Sequence, residues 1–220
     1  EDALRSPHKE RREQEEQELD ELVRQLRASR APIARVLLFR GGEKTVSGAS
    51  LTLARPCLAP LGIPIGAGTD ADFYQLNQFR PPHEHADFVH WSMNPQVHAF
   101  DQASIAETPT AVAAQLESAR VFFPAKPLVV SPVTLKPRFN SVATGHERPP
   151  APGELPPQVD SRQLSPFAAA WTLAVIKHLA ENGAASVTLF ETTGWRGVLE
   201  REAGSVLPSQ FPSQPGQVFP

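Results

Sequence analysis

"ADFVHWSM" (86–93) runs straight into "NPQVHAFD" (94–101). The first stretch is mostly apolar, the pattern of a strand covered on both faces. The second places an amide, a proline, an imidazole and a carboxylate in close order. Such a cluster at the end of a buried strand is either an ordinary loop or the rim of an active site. The choice turns on whether other strands of the chain end the same way.

They do. Further apolar runs stand at "IARVLLF" (33–39), "GIPIGAGT" (62–69), "KPLVVSPVTL" (126–135) and "ASVTLFE" (185–191), making five candidate strands. Polar residues collect where each one stops, in "FRGGEK", "GTDADFYQLN", "TLKPRFN" and "ETTGWRG". Helical patterns lie between. Residues 8–29 carry Leu19, Leu22, Val23 and Leu26 at helical spacing on an otherwise charged segment, and Pro32 ends it. Residues 108–123 begin at a threonine cap, with Val112, Leu116, Ala119 and Val121 on the apolar face. Residues 165–183 have Ser165 at the N-cap, Pro166 at the first helical position and Gly183 past the end. Residues 141–163 form a long proline-rich excursion, a length that often marks a functional loop.

Apolar strands alternating with helices predict an α/β fold with a parallel sheet covered on its faces. Chemistry gathered at the C-terminal strand ends predicts a (β/α)8 TIM barrel. A doubly wound sheet would also bind ligands there, but usually through a glycine-rich phosphate loop. "GIPIGAGTD" has a G-x-G at 66–68 and no third glycine three residues later. Five strands fall short of a closed barrel of about 250 residues, so the barrel is expected to be partial, about five of eight units. The expected division is a barrel domain over 1–207, with 1–30 as a leading helix, and a Pro/Gln-rich tail over 208–220.

Composition narrows the partners. The chain has 220 residues and a formal net charge of −3, so there is no basic footprint for nucleic acid. A single cysteine, Cys57, cannot build an intramolecular disulfide or a cysteine-rich zinc site. No apolar run approaches the roughly 20 residues that span a bilayer. The expectation is a cytoplasmic protein acting on a small molecule, without a cofactor or metal.

Glu191, at the end of the last strand, suits a base or nucleophile, and Trp195 beside it could wall a sugar site. The bland alternative is an ion pair between Glu191 and Arg196. His98 could move a proton or simply tie its loop down. Asn94 before Pro95 suits a turn, and Asp101 suits a helix cap. Asp70 is the stronger of the two carboxylates in "GTDADFYQLN". The plainer reading of Asp70 is an Asx-turn or the N-cap of a short helix at 71–78, and Asn77 is a further polar contact on the same loop. Lys136 and Arg138 put two cations beyond a strand, either for an anion or as a surface pair. His83, Glu84 and His85 look like metal ligands on paper, but their polar loop offers no geometry to align them. No H-E-x-x-H, P-loop or G-x-S-x-G motif is present.

Taken together, "GTDADFYQLN", "FVHWSMNPQVHAFDQASIAET", "VVSPVTLKPRFNSVATG" and "SVTLFETTGWRGV" resemble the TIM-barrel domain of D-apionate lactonases over roughly residues 33–200. The resemblance implies a glycosidase-like barrel followed by a β-rich C-terminal domain. It implies hydrolysis of the lactone of apionate, a branched sugar acid, during catabolism of apiose. The first barrel strands and the β-rich domain have no counterpart in these 220 residues. If the five strands are the third to seventh of a barrel, Glu191 falls where related glycosidases keep their nucleophile. Asp70 then falls where they keep an acid/base. If they are the fourth to eighth, the correspondence fails. On the first numbering, lactone hydrolysis is expected to use Glu191 as base or nucleophile and His98 or Asp70 as proton donor. Asn77, Asn94 and Arg138 would bind hydroxyls or stabilise negative charge. A glycoside hydrolase with two carboxylates, or a non-catalytic sugar-binding remnant, stands as the alternative.

Overall fold

The computed structural model describes residues 7–143 and 148–220, with side chains from residue 12 onward. Residues 1–6 of the expected leading helix and 144–147 of the proline-rich excursion lie outside the described residues. The five expected strands are all present as one parallel sheet in the order β1-β2-β3-β4-β5. They are β1 (Val36–Leu37), β2 (Ile65–Gly68), β3 (Phe88–Met93), β4 (Leu128–Val133) and β5 (Ser186–Leu189). Spatial order follows chain order, as in a barrel wall, and the sheet curls into a partial TIM barrel.

The helices are α1 (Pro7–Ala28), α2 (Gly48–Leu58), α3 (Phe73–Phe79), α4 (Gln102–Glu107), α5 (Ala111–Phe122) and α6 (Pro166–Glu181). Alternation along β3 sorts its side chains between two faces. Val89, Trp91 and Met93 pack outward into a core with Ile105 of α4, Val112 and Leu116 of α5, and Trp171 and Val175 of α6. A second core joins Leu19, Leu22, Val23 and Leu26 of α1 to Leu51, Ala54 and Leu58 of α2 and Ile65 and Ala67 of β2. The Arg55 guanidinium of α2 grips Asp87 through two 3.0 Å hydrogen bonds, and Asp87 Oδ2 also accepts from the Ile65 amide at 2.8 Å. That clamp fixes the lower ends of β2 and β3 to their covering helix.

The G-x-G at 66–68 has a packing cause. A Cβ on Gly66 would stand 2.3 Å from the Phe88 ring, and one on Gly68 would stand 1.9 Å from the His90 carbonyl oxygen. Bare backbone on β2 is what lets Phe88 and His90 of β3 fill the concave side of the sheet. His90 is fully buried there, with Phe39 edge-on to its ring at 5.1 Å. Burial lowers its pKa to about 3, so the imidazole is neutral at any ordinary pH.

Phe190, the residue just past β5, has φ 53, a left-handed conformation uncommon for a bulky residue. The chain turns there, and Glu191 opens a separate two-stranded ladder of β6 (Glu191–Thr193) and β7 (Gly197–Leu199). Residues 208–220 fold back along β7: the Phe219 amide donates to Val198 O at 2.9 Å, and the Glu200 amide to Gln217 O at 2.8 Å. Phe211 and Phe219 form a small core there with Val159 of the proline-rich segment, flanked by Trp195.

Candidate active site

A cleft of about 790 Å³ opens at the C-terminal ends of β2, β3 and β4. It brings together Asp70, Asn94, His98 and Arg138 from three separate loops. Each loop is held by local chemistry. Asp72 caps α3 by accepting from the Gln75 amide at 3.3 Å. Ser92 Oγ donates to Ala71 O at 2.6 Å and to Asp70 O at 3.2 Å, which pins the Asp70 backbone to β3. Asn94 Oδ1 accepts from the Gln96 amide at 3.1 Å, the side-chain turn that Asn-Pro suggests. Asp101 caps α4 through the Ser104 amide at 2.9 Å.

Asp70 is the half-buried carboxyl of this cleft. Burial pushes its pKa above the usual aspartate range, while its own backbone amide and the charge of Arg138 pull part of that back. His98 and Arg138 are exposed on the rim. Tyr74, Phe100 and Phe139 supply aromatic surface along the same cleft.

The remaining expected site residues lie elsewhere. Glu191 and Trp195 line a smaller neighbouring pocket of about 320 Å³. There Glu191 Oε1 is ion-paired with Arg196 at 2.8 Å, the plainer of its two sequence readings. Lys136 lines a third pocket, of about 570 Å³, between the other two. Asn77 is exposed on α3 outside the cleft, where its Oδ1 meets Arg80 at 3.5 Å and its carbonyl accepts from Arg80 Nε at 3.1 Å. His83 rests edge-on against Phe123 at 5.1 Å, and Glu84 and His85 are exposed. Among the described residues no group of His, Cys, Asp or Glu could hold a metal ion, and no helix is long and apolar enough to cross a membrane.

A buried latch behind the cleft was not legible in the sequence. Gln96 Nε2 donates to Asp160 Oδ2 and to Leu135 O, both at 2.6 Å. Arg162 donates to Gln96 Oε1 at 2.8 Å and to both Asp160 oxygens, at 2.9 and 2.7 Å, and reaches Phe100 O at 2.9 Å. The latch ties "NPQVHAFD" to the proline-rich segment. That segment is itself a partition: Pro156 and Val159 line both the small and the middle pocket, and Pro157 lines both the middle pocket and the cleft.

Burial alone would raise the Asp160 pKa, but hydrogen bonds from Arg162 and Gln96 outweigh it and hold the carboxyl below the usual value. A lowered carboxylate contributes stability above its unfolded pKa and loses it as pH falls through the folded one. Asp160→Asn is expected to destabilise the protein by about 2–3 kcal/mol at neutral pH, since Arg162 loses its counter-charge. The gap from the parent should shrink as the pH drops below about 4, which urea titrations across pH would record.

A curled, helix-backed parallel sheet with pockets at its C-terminal strand ends defines a protein of the TIM-barrel type. The family description "D-apionate lactonase, TIM barrel domain" matches residues 8–220, and the chain belongs to that family. A D-apionate lactonase of Brucella anthropi is 31% identical to it over 144 residues, which is 65% of this chain and 24% of that protein. The match thus spans about a quarter of the relative's length.

Proposed function

We propose that the protein opens the lactone ring of a branched sugar acid, D-apionolactone to D-apionate, in the catabolism of apiose. Family membership supports the reaction class. The observation that carries the chemistry is the meeting of Asp70, His98, Arg138 and Asn94 in one strand-end cleft.

Lactone hydrolysis is acyl transfer to water. It needs a base for the water, donors for the tetrahedral oxyanion and an acid for the ring oxygen that leaves. Asp70, with its pKa raised by burial, takes the proton from the attacking water. Arg138 and the Asn94 amide group stabilise the oxyanion, and His98 protonates the leaving oxygen as the C–O bond breaks. Arg138→Gln removes the cation that favours ionised Asp70. The acid limb of the kcat/KM profile is therefore expected to move to higher pH, together with a loss of turnover. A limb that stays in place would separate Asp70 from the reaction.

Glu191 as base is the second reading, favoured by its place after β5 beside Trp195 in a pocket of its own. The test is proton release from D-apionolactone and from common aldonolactones by the intact protein and its Glu191→Gln variant. Selective turnover of D-apionolactone that survives in Glu191→Gln within about tenfold fits the first reading; a loss of 10²–10⁴-fold, the usual reach of one acid–base group, fits the second. No turnover of any lactone by folded protein overturns both.

A further inference from the structure

The small pocket beside the cleft is not used by the reaction as assigned to Asp70, yet it is built like a ligand site. Its four charged groups are Glu191, Arg196, Glu200 and Arg201, and Trp195 forms a wall. Glu191 Oε1 and Arg196 form an ion pair at 2.8 Å. Glu200 is 2% exposed, and its carboxylate accepts from the Arg201 amide at 2.7 Å and from Ser213 Oγ. A carboxylate held that deeply keeps the chain rigid next to Arg201. The Arg201 guanidinium has no acceptor among the described residues. It lies over Gly194, where a Cβ would stand 3.1 Å from its Nε and 3.3 Å from one Nη, so glycine makes the room it occupies. Trp195 spends its indole N–H on Ser205 Oγ at 3.0 Å and is backed by Phe211 at 6.1 Å.

We propose that this pocket binds the carboxylate form of a small polyhydroxylated acid, with Arg201 as its anion receptor. A planar guanidinium with every donor free matches a carboxylate in two parallel hydrogen bonds. The carbon face of a polyol packs against Trp195. Glu191 retains an oxygen outside its pair with Arg196 to accept from ligand hydroxyls. The four charges cancel, so the anion meets no net repulsion. A volume of about 320 Å³ takes a sugar acid of four to six carbons. The choice of a polyhydroxylated acid over other carboxylates rests on the lactone-opening reading, whose product is such an acid; the anion receptor does not.

Trp91 and Trp171 are buried in the core and bonded to Gln115 and Thr108, so Trp195 is the tryptophan of this chain placed to report the ligand. The experiment titrates the intact protein with D-gluconate and D-erythronate, following tryptophan emission and heat. A saturable emission change is expected that disappears in Trp195→Phe while the heat of binding remains. Arg201→Gln should weaken binding about tenfold or more, as loss of a bidentate charged contact does. Arg138→Gln should leave the affinity unchanged. Methyl β-D-glucopyranoside, which lacks the carboxylate, should not bind. Weakening by Arg138→Gln in place of Arg201→Gln would move the anion to the cleft and overturn the proposal, as would equal binding of the neutral glycoside or no binding at all. Acetate binding as tightly as gluconate would overturn the sugar-acid assignment while lactone turnover, measured separately, still stood.

Discussion

Asparagine in place of Asp70 is expected to lower kcat/KM for D-apionolactone by about 10²–10⁴-fold, the contribution of a single positioned acid–base group. The change preserves shape and removes only the ability to accept a proton. Ser92 bonds the Asp70 carbonyl, not its carboxyl, so the loop path survives the substitution. The loss should fall in kcat more than in KM, because proton transfer belongs to the transition state. With Asp70 as the proposed base, the acid limb of the pH profile should vanish with it. Full activity in Asp70→Asn, alongside a native urea midpoint, would exclude Asp70 as the base.

Alanine at Gly68 is expected to be the most damaging single methyl group in the sheet. The new Cβ meets a backbone oxygen, His90 O, at 1.9 Å, and backbone cannot rotate aside as a side chain can. A loss of about 3 kcal/mol or more is expected, at the upper end for overpacking. Gly62→Ala is the control. Gly62 has a left-handed φ of 67 with nothing within 4 Å of a Cβ, so only the backbone penalty of about 1 kcal/mol applies. Urea melts of the two variants should differ by about 1 M in midpoint for a slope near 2 kcal/mol/M. Equal melts would mean that β2 can slide away from β3. Because Gly68 lies two residues before Asp70, activity should fall along with stability in Gly68→Ala and be spared in Gly62→Ala.

The strands were legible because each is an apolar run, with β2 and β3 buried throughout and β1 and β5 only partly covered, and all five lie within the runs the sequence offered. Helices with strong periodicity and caps, such as α6 behind Ser165 and Pro166, were legible too. Helix α2 was not: it contains Pro56 and opens at Gly48, both of which read as breaks. Local polar roles could also be read, as Asp101 and Asn94 bond to amides two or three residues away; the cap of α3 instead falls on Asp72, two residues past the Asp70 that the sequence suggested. Long-range pairings could not. Gln96 and Asp160 are 64 residues apart in the chain, and nothing in either neighbourhood names the other. The buried carboxylate of Glu200 was hidden for the same reason: Ser213, its side-chain partner, sits in a stretch that reads as a polar tail. Glu191 shows a subtler limit. Its strand-end position was legible, but the left-handed turn at Phe190 that swings it off β5 was not.

The partition formed by Pro156, Pro157 and Val159 gives this rim an architecture of adjoining rooms with common walls. A molecule lodged in one room leans on the wall of the next. Energetic reciprocity then requires that whatever the first occupant does to the affinity of the second, the second does equally to the first. Proline stiffens such a wall, since its φ is locked. A ligand held in the small pocket would in that case shift the affinity of the cleft without competing for its place, a coupling set by masonry and not by mimicry.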